Sequence, residues 1–195
     1  MKFTPHEYQR YCIDYIKTHP VSALLLDMGL GKTIITLTAI RDMMLDDVSV
    51  AKVLVIAPLR VARDTWPAEV EKWDHLSDLD VSIIVGTAKE RTAALNHSAM
   101  IYVVNRENVK WLVEYYEKNG LRWDFDCIVI DELSSFKNYQ SQRFKWLRKV
   151  RPFVRRWIGL TGTPTSNGLM DLWAEIGILD GGERLGRFIG RYREA

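Results

Sequence analysis

The sequence predicts an α/β fold of the three-layer kind, in which a mainly parallel central sheet is covered by helices on both faces. Short β-branched segments alternate with longer amphipathic segments about six times along the 195 residues, the usual pattern of strand–helix repeats. Residues 53–56 and 128–130 are entirely apolar, as expected for central strands buried on both faces of a parallel sheet.

The individual elements follow from the hydrophobic periodicity. The predicted strands cover residues 21–26, 52–57, 81–85, 100–104, 127–131 and 156–160. The predicted helices cover residues 6–18, 31–45, 61–73, 89–96, 107–118, 140–150 and 169–179. Pro67 predicts a break or a fresh start within the third helix. No Gly/Ser-rich linker or internal repeat interrupts the pattern, so we expect a single domain over residues 1–195.

The composition narrows the class of protein. With 47% hydrophobic and 27% charged residues, the chain has the make-up of a globular domain rather than a disordered one. No apolar run approaches the roughly 18 residues that a membrane-spanning helix needs, so we expect no membrane partner. Cys12 and Cys127 are too few for a four-ligand zinc site, so we expect no zinc, and Cys127 is predicted to be plain core.

The formal net charge of +2 conceals an uneven distribution. Residues 1–136 carry 15 basic and 20 acidic groups, or −5, whereas residues 137–195 carry 12 basic and 5 acidic groups, or +7. Eight basic residues and no acidic ones lie between positions 137 and 156. This asymmetry favours a polyanionic partner.

A glycine-containing loop joins the first predicted strand to the second predicted helix. Residues 27–33 read Asp-Met-Gly-Leu-Gly-Lys-Thr, which is typical of a phosphate-binding loop, because glycines turn backbone N–H groups toward phosphate. Lys32 is expected to reach the β- and γ-phosphates and Thr33 to ligate Mg²⁺, although Leu26 replaces the usual first glycine. The loop residues expected to contact the nucleotide are Met28, Gly29, Leu30, Gly31, Lys32 and Thr33.

Two carboxylates, Asp131 and Glu132, follow the apolar strand predicted at residues 127–131. Ligands of parallel sheets bind beyond the carboxyl ends of the strands, so both side chains are expected beside the phosphate loop. Asp131 would hold Mg²⁺, and Glu132 would polarise the water that attacks the γ-phosphate. Lys32, Asp131 and Glu132 are therefore the predicted catalytic residues.

Together with residues 159–164, Gly-Leu-Thr-Gly-Thr-Pro, these segments resemble motifs I, II and III of superfamily-two helicases, with wording closest to the Swi/Snf-type DNA translocases. The resemblance runs from about residue 5 to residue 192 and implies the first RecA-like domain of a P-loop NTPase motor that uses ATP and Mg²⁺. It implies that Gln9 reads the adenine edge. It also implies coupling between the nucleotide site and motif III through Ser134, which stands in place of a histidine, and through Thr161, Gly162 and Thr163.

The same resemblance implies a nucleic-acid track. Segments like motifs Ia and Ib place Arg60 and Arg106 at the sheet edge, and Lys137 follows the acidic motif. These three residues are the expected contacts to a nucleic-acid backbone, with double-stranded DNA favoured. For the other basic residues of 137–156, DNA contact, a solvated helix face and a surface that docks a second domain remain open. For Trp66, Trp73, Trp111, Trp146 and Trp173, packing on the sheet is favoured over base stacking.

Motifs IV to VI, which lie in a second RecA-like domain of such motors, do not occur in these 195 residues. The resemblance therefore implies a partner domain in the same protein, and weak or no ATP hydrolysis without it. An RNA helicase, a nucleotide-gated binding module without turnover and a small-molecule kinase remain alternatives. The expected location is inside the cell, cytoplasmic if the protein is prokaryotic or viral and nuclear if it is eukaryotic.

Overall fold

The computed structural model describes residues 1–162 and 169–186. The strands are β1 (Val21–Leu25), β2 (Val53–Ala57), β3 (Val81–Ile84), β4 (Ile101–Asn105), β5 (Cys127–Asp131) and β6 (Arg156–Thr161). The helices are α1 (Glu7–Thr18), α2 (Lys32–Arg41), α3 (Trp66–Lys72), α4 (Ala88–Asn96), α5 (Val109–Lys118), α6 (Gln142–Val150) and α7 (Leu169–Asp180). Within these ranges, every predicted strand and helix is present, and each end lies within five residues of its predicted position.

The six strands form one sheet in the order β1-β6-β5-β2-β4-β3, and every pairing is parallel. Alternate residues of the central strands point to opposite faces. In β2, Val53 and Val55 pack with α1, α2 and α3, whereas Leu54 and Ile56 pack with α4, α5, α6 and α7. The predicted three-layer α/β fold is confirmed.

The helices that flank the site differ from their predicted outlines for identifiable reasons. The helix predicted at residues 31–45 is α2 followed by a π-helical turn, Asp42–Asp46. The helix predicted at residues 61–73 is a π-helical turn, Val61–Thr65, followed by α3. Pro67 lies in the first turn of α3, just after the π-helical turn, so the break or fresh start predicted there is confirmed.

Buried residues fit the expectations for the core. Cys127 is completely buried in β5, as predicted. The five tryptophans that were expected to pack on the sheet do so: Trp66 and Trp173 are buried, and Trp73, Trp111 and Trp146 are partly buried against the two core clusters. No helix of the described ranges combines the length and the apolar character needed to cross a membrane.

Strand order determines which loops meet. The carboxyl ends of β1, β6 and β5 lie side by side at one edge of the sheet, followed by those of β2 and β4. Several predicted functional segments therefore emerge at the same edge. They are the phosphate-type loop (residues 27–33), the end of β6, the carboxylates Asp131 and Glu132, and the segments that carry Arg60 and Arg106. This is the edge at which open parallel sheets bind ligands.

Candidate functional site

The loop between β1 and α2 has a backbone that only glycine adopts without strain at two positions. Gly29 and Gly31 have φ angles of +84° and +79°, in the left-handed region that disfavours side chains. A Cβ atom on Gly31 would also lie 2.9 Å from Nε2 of Gln9. The sequence thus uses glycine where the turn requires it and where α1 approaches the loop.

Lys32, the first residue of α2, folds over the loop that precedes it. Its ammonium donates hydrogen bonds to the carbonyl oxygens of Leu26 (2.7 Å) and Asp27 (3.0 Å). Thr33 follows it and is half-buried. Lys32 therefore sits within the loop, beside the backbone N–H groups at the start of α2, which together make a concentration of positive charge.

The motif III segment touches the loop directly. The N–H of Leu26 donates to the carbonyl of Thr161 (3.2 Å), which is buried at the end of β6. A Cβ atom on Gly162 would lie 3.4 Å from the Leu26 carbonyl and 3.8 Å from the Lys32 ammonium. Thr161 and Gly162 are thus brought to the phosphate-type loop, whereas Thr163 lies outside the described residues.

The start of α1 is fixed against the same loop. Gln9 is buried, and its Oε1 accepts a hydrogen bond from the N–H of His6 (2.9 Å) while its Nε2 faces Gly31. The hydroxyl of Tyr8 donates to the carbonyl of Leu30 (3.1 Å). The structure therefore places Gln9 at the loop, although its side-chain oxygen also caps the helix.

Asp131 ends β5 in a largely enclosed position. Its Oδ2 accepts a hydrogen bond of 2.9 Å from the indole N–H of Trp66, which is completely buried. Burial raises the pKa of the Asp131 carboxyl, and the negative charge of Glu132 raises it further. The hydrogen bond from Trp66 and the positive charge of Lys32 lower the pKa, but the net shift is upward. The sequence indicated Trp66 only as a packing residue, and its contact with Asp131 was missed.

Glu132 lies in a different environment one residue later. Its backbone is left-handed, with φ 64° and ψ 62°, which is uncommon for a residue with a side chain. Its carboxylate is more than half exposed and lies 3.3 Å from the guanidinium of Arg106. Arg106 was predicted to contact nucleic acid, and its ion pair with Glu132 was not foreseen.

The loop, the start of α1, the end of β6 and the two carboxylates surround one cleft of about 960 Å³. Of the predicted site residues, it is lined by Gln9, Met28, Gly29, Gly31, Lys32, Thr33, Asp131, Glu132, Thr161 and Gly162. Leu30, Arg60, Arg106, Ser134 and Lys137 do not line it. One wall was missed by sequence reasoning: Phe3 packs edge-on against Trp73, with ring centroids 5.3 Å apart, and both rings face the cleft.

The remaining predicted residues lie around this cleft. Arg60 is exposed just after β2. Lys137 lies 3.7 Å from Asp171 of α7. Ser134 is half-buried in the short 3₁₀ helix Leu133–Phe136 that follows Glu132.

The basic segment, residues 137–156, runs from the edge of the sheet at which the strands end to the opposite edge, at which they begin. Because α6 connects the carboxyl end of β5 to the amino end of β6, it leads away from the cleft edge. Lys149 near its end pairs with Glu117 (3.3 Å), Arg155 pairs with Asp126 (3.0 Å), and Arg156 donates to main-chain carbonyls of residues 16 and 19. These three basic groups make their contacts at the edge of the sheet opposite to the one from which Arg60 and Arg106 emerge.

The donor set can be compared with what Mg²⁺ requires. Mg²⁺ prefers oxygen ligands and usually retains water, with one or two carboxylates plus phosphate oxygens. The Thr33 hydroxyl and the largely enclosed Asp131 carboxylate both line the cleft, and these oxygen donors fit that preference. Within residues 1–162 and 169–186, no group of three or more His, Cys, Asp or Glu side chains forms a metal cluster.

Comparison with known proteins extends these observations. Residues 8–180 match the family model described as the SNF2-related domain. The chain is 43% identical over 191 residues to "Putative protein p41" of Acyrthosiphon pisum secondary endosymbiont phage 1, covering 95% of this chain and 41% of that protein. It is 30% identical over 177 residues to "Helicase ssl-1" of Caenorhabditis elegans, covering 86% of this chain and 7% of that protein.

Solved structures show the same fold. The Sulfolobus solfataricus SWI2/SNF2 ATPase core in complex with dsDNA matches with a TM-score of 0.81 and 24% identity, over 100% of this chain and 39% of that one. The core domain of that ATPase also matches, with a TM-score of 0.70 and 26% identity, over 93% of this chain and 36% of that one. The chain thus spans less than half the length of these relatives.

The family model covers most of the chain, and the predicted motif residues meet at one sheet edge. The chain therefore belongs to the SNF2-related domain family.

Proposed function

We propose that this chain is the first motor domain of an ATP-dependent DNA translocase. It binds ATP with Mg²⁺ in the cleft, hydrolyses it together with a second RecA-like domain of the same protein, and moves on double-stranded DNA. The observation that carries the proposal is the convergence of Lys32, Asp131 and Glu132 around one cleft beside left-handed loop glycines. Such a cleft combines phosphate binding with an acidic pair suited to phosphoryl transfer.

The roles of the loop residues follow from their positions. The N–H groups of the loop and of the start of α2 bind the phosphates, and Lys32 exchanges its two carbonyl partners for phosphate oxygens. Gln9 contacts the base, since it lies buried against the loop at the start of α1. Thr33 and Asp131 would hold Mg²⁺, which would supply positive charge that offsets the phosphates.

Hydrolysis requires a water molecule in line with the γ-phosphate. Asp131 is held by the Trp66 indole and is suited to a fixed role in binding, whereas Glu132 is exposed at the cleft and suited to orienting that water. The water oxygen bonds to the γ-phosphorus as the bond to ADP breaks. Loss of the γ-phosphate changes the contacts in the cleft. This change is transmitted to the DNA-binding edge of the sheet by Thr161 and Gly162, which contact the loop, and by Ser134 and Thr163.

The DNA track follows the carboxyl ends of β2 and β4. Arg60 and Arg106 emerge there, and Lys137 follows β5, so all three lie along one edge next to the cleft. Contacts from such side chains to phosphates are independent of base sequence and sensitive to salt. A relative whose ATPase core was solved in complex with dsDNA supports DNA over RNA.

The test measures ATP hydrolysis by the full-length protein with no nucleic acid, with double-stranded DNA and with RNA of equal length. We expect double-stranded DNA to raise turnover and RNA to have little effect; stimulation by RNA alone would contradict the proposal.

Lys32→Ala should abolish nucleotide binding without unfolding the protein, since Lys32 contributes charge to the phosphates and is not part of the core. Retained ATP affinity in that variant would refute the phosphate-loop assignment.

A further inference from the structure

We propose that Arg106 is a positioning residue for Glu132. Without DNA, Arg106 holds the Glu132 carboxylate toward the edge of the sheet along which DNA binds. When DNA binds, a backbone phosphate replaces Glu132 on Arg106. Glu132 is then free to orient the attacking water. This inference rests on the proposed function, because it requires that Glu132 acts on water and that DNA passes along the ends of β2 and β4. It adds a single physical link between the two sites.

Strand order makes this contact possible. Arg106 follows β4, Glu132 follows β5, and β2 lies between these strands in the sheet. The Arg106 side chain therefore crosses the end of β2 to place Nη1 3.3 Å from Glu132 Oε2. The pair joins the nucleotide side of the sheet edge to the side on which Arg60 and Arg106 lie.

Arg106 is oriented by its own neighbour. Its Nε donates to Glu107 Oε1 at 3.0 Å, and the other oxygen of Glu107 accepts from the amide of buried Asn105 at 3.0 Å. Burial disfavours the charged form of Glu107, but these hydrogen bonds from Asn105 and Arg106 hold its pKa below the usual value. The guanidinium is thus held on one side by a fixed carboxylate and presents its remaining donors to Glu132.

The backbone of Glu132 is fixed by the residues that follow it, whereas its side chain is exposed. Its left-handed conformation disfavours a residue with a side chain by about 1–2 kcal/mol, and such strain persists where the surroundings impose it. The 3₁₀ helix begins immediately after it, with Leu133 and Phe136 buried. The backbone is therefore anchored on one side, and the exposed Glu132 side chain is the part that can turn when Arg106 leaves.

A guanidinium has a limited set of donors in a fixed plane. Hydrogen bonds from arginine to phosphate are frequently paired and strongly directional. With Nε held by Glu107 and Nη1 in contact with Glu132, a DNA phosphate can take the paired donors of Nη1 and Nη2 only by displacing Glu132 from Nη1. Glu132 and DNA therefore compete for the same donors.

Competition predicts a measurable link in DNA affinity that does not depend on turnover. In the nucleotide-free full-length protein, Glu132→Gln should tighten binding of a double-stranded DNA probe by about two- to fivefold, because one competitor of the phosphate is gone. In the Arg106→Gln background, the same Glu132→Gln change should leave DNA affinity unaltered. Equal tightening in both backgrounds would indicate a general charge effect and would overturn the proposal, as would no tightening in either.

Turnover supplies a second readout. Arg106→Gln should raise ATP hydrolysis without DNA and lower the ratio of DNA-saturated to DNA-free rates by about fivefold or more. Lys110→Gln is the matched control, since Lys110 is a nearby exposed cation on α5 that lies 3.8 Å from Glu114; it should change neither rate.

A DNA-free rate of Arg106→Gln equal to that of Lys110→Gln would overturn the proposal while leaving the proposed function standing. Absence of DNA binding or of ATP turnover in the unmodified protein would contradict the proposed function and this inference with it.

Discussion

Asp131 and Glu132 are neighbours in the chain but occupy two different environments. Asp131 is enclosed at the end of β5, where the buried Trp66 indole donates to it. Glu132 is more than half exposed, has a left-handed backbone and faces Arg106 from a strand two places away in the sheet. One carboxylate is held by the core, and the other is held by a group that DNA is proposed to recruit. Adjacent acids of the same charge can therefore be assigned fixed and switchable roles by their surroundings.

The largest expected effect separates the two carboxylates directly. Glu132→Gln should lower ATP turnover of the full-length protein by about 10²–10⁴-fold while leaving nucleotide affinity nearly unchanged, because only the water-orienting group is lost. Asp131→Asn should instead weaken Mg²⁺-dependent nucleotide binding. Equilibrium binding of a fluorescent ATP analogue, with and without Mg²⁺, and steady-state turnover would distinguish them. The same phenotype from both variants would contradict the division of roles.

An intermediate effect is expected from the support beneath Asp131. Trp66→Phe keeps an aromatic ring in the core but removes the hydrogen bond to Oδ2, which should destabilise the fold by about 1–3 kcal/mol and raise the Mg²⁺ concentration needed for nucleotide binding. Chemical denaturation and Mg²⁺ titration of nucleotide binding would measure the two effects.

Trp157→Phe is the matched control for Trp66→Phe. Trp157 is equally buried, and its indole donates to the carbonyl of Val154 at 3.3 Å near the opposite edge of the sheet. The Trp157→Phe variant should lose folding stability, but the Mg²⁺ concentration that it needs for nucleotide binding should not change. A shifted Mg²⁺ dependence in both variants would reduce the role of Trp66 to packing.

An effect that depends on pH is expected from a third acid, Glu175. This residue is buried on α7, and its Oε1 has no hydrogen-bond partner within the described chain. Burial and the negative charge of Asp171 raise the pKa of Glu175 to about 7, although the positive charge of Lys137 lowers it. Because the folded pKa exceeds the unfolded value, folding takes up a proton, and stability falls as pH rises from about 4.5 to about 7.

Glu175→Gln removes this titration. Relative to the unmodified protein, we expect it to be more stable at pH 8 than at pH 5, by a difference of about 1–3 kcal/mol. Thermal unfolding at the two pH values, with the exposed Glu71→Gln as control, would check this. A stability difference that does not change between pH 5 and pH 8 would show that folding does not raise the pKa of Glu175.

Much of the fold could be predicted because the pattern is local. The apolar runs at residues 53–56 and 128–130 indicate central strands, and Pro67 marks the start of α3. The phosphate-type loop was recognisable because its glycines, Lys32 and Thr33 are consecutive. The π-helical turns at Asp42–Asp46 and Val61–Thr65 were not predicted, because their shifted hydrogen bonds leave no clear signal in hydrophobic periodicity.

Contacts between distant residues were less accessible. The Phe3–Trp73 wall joins residues 70 positions apart, and the Trp66–Asp131 bond joins residues 65 apart. A buried tryptophan needs an acceptor for its N–H, so the sequence signalled that Trp66 had a partner without indicating which. The basic residues of 137–156 likewise gave no sequence signal of their contacts: Lys149, Arg155 and Arg156 bind groups at the edge opposite the cleft.

The sequence by itself determined the α/β class, the phosphate-type loop and the acidic strand end, because periodicity and consecutive motifs are properties of the chain. It also showed that the basic charge is concentrated after residue 136. Only the tertiary structure decided that β2 lies between β4 and β5, so that Arg106 reaches Glu132 while Trp66 reaches Asp131. The physical reason is that strand order and helix packing set which side chains meet across the sheet edge, and neither is encoded in local spacing.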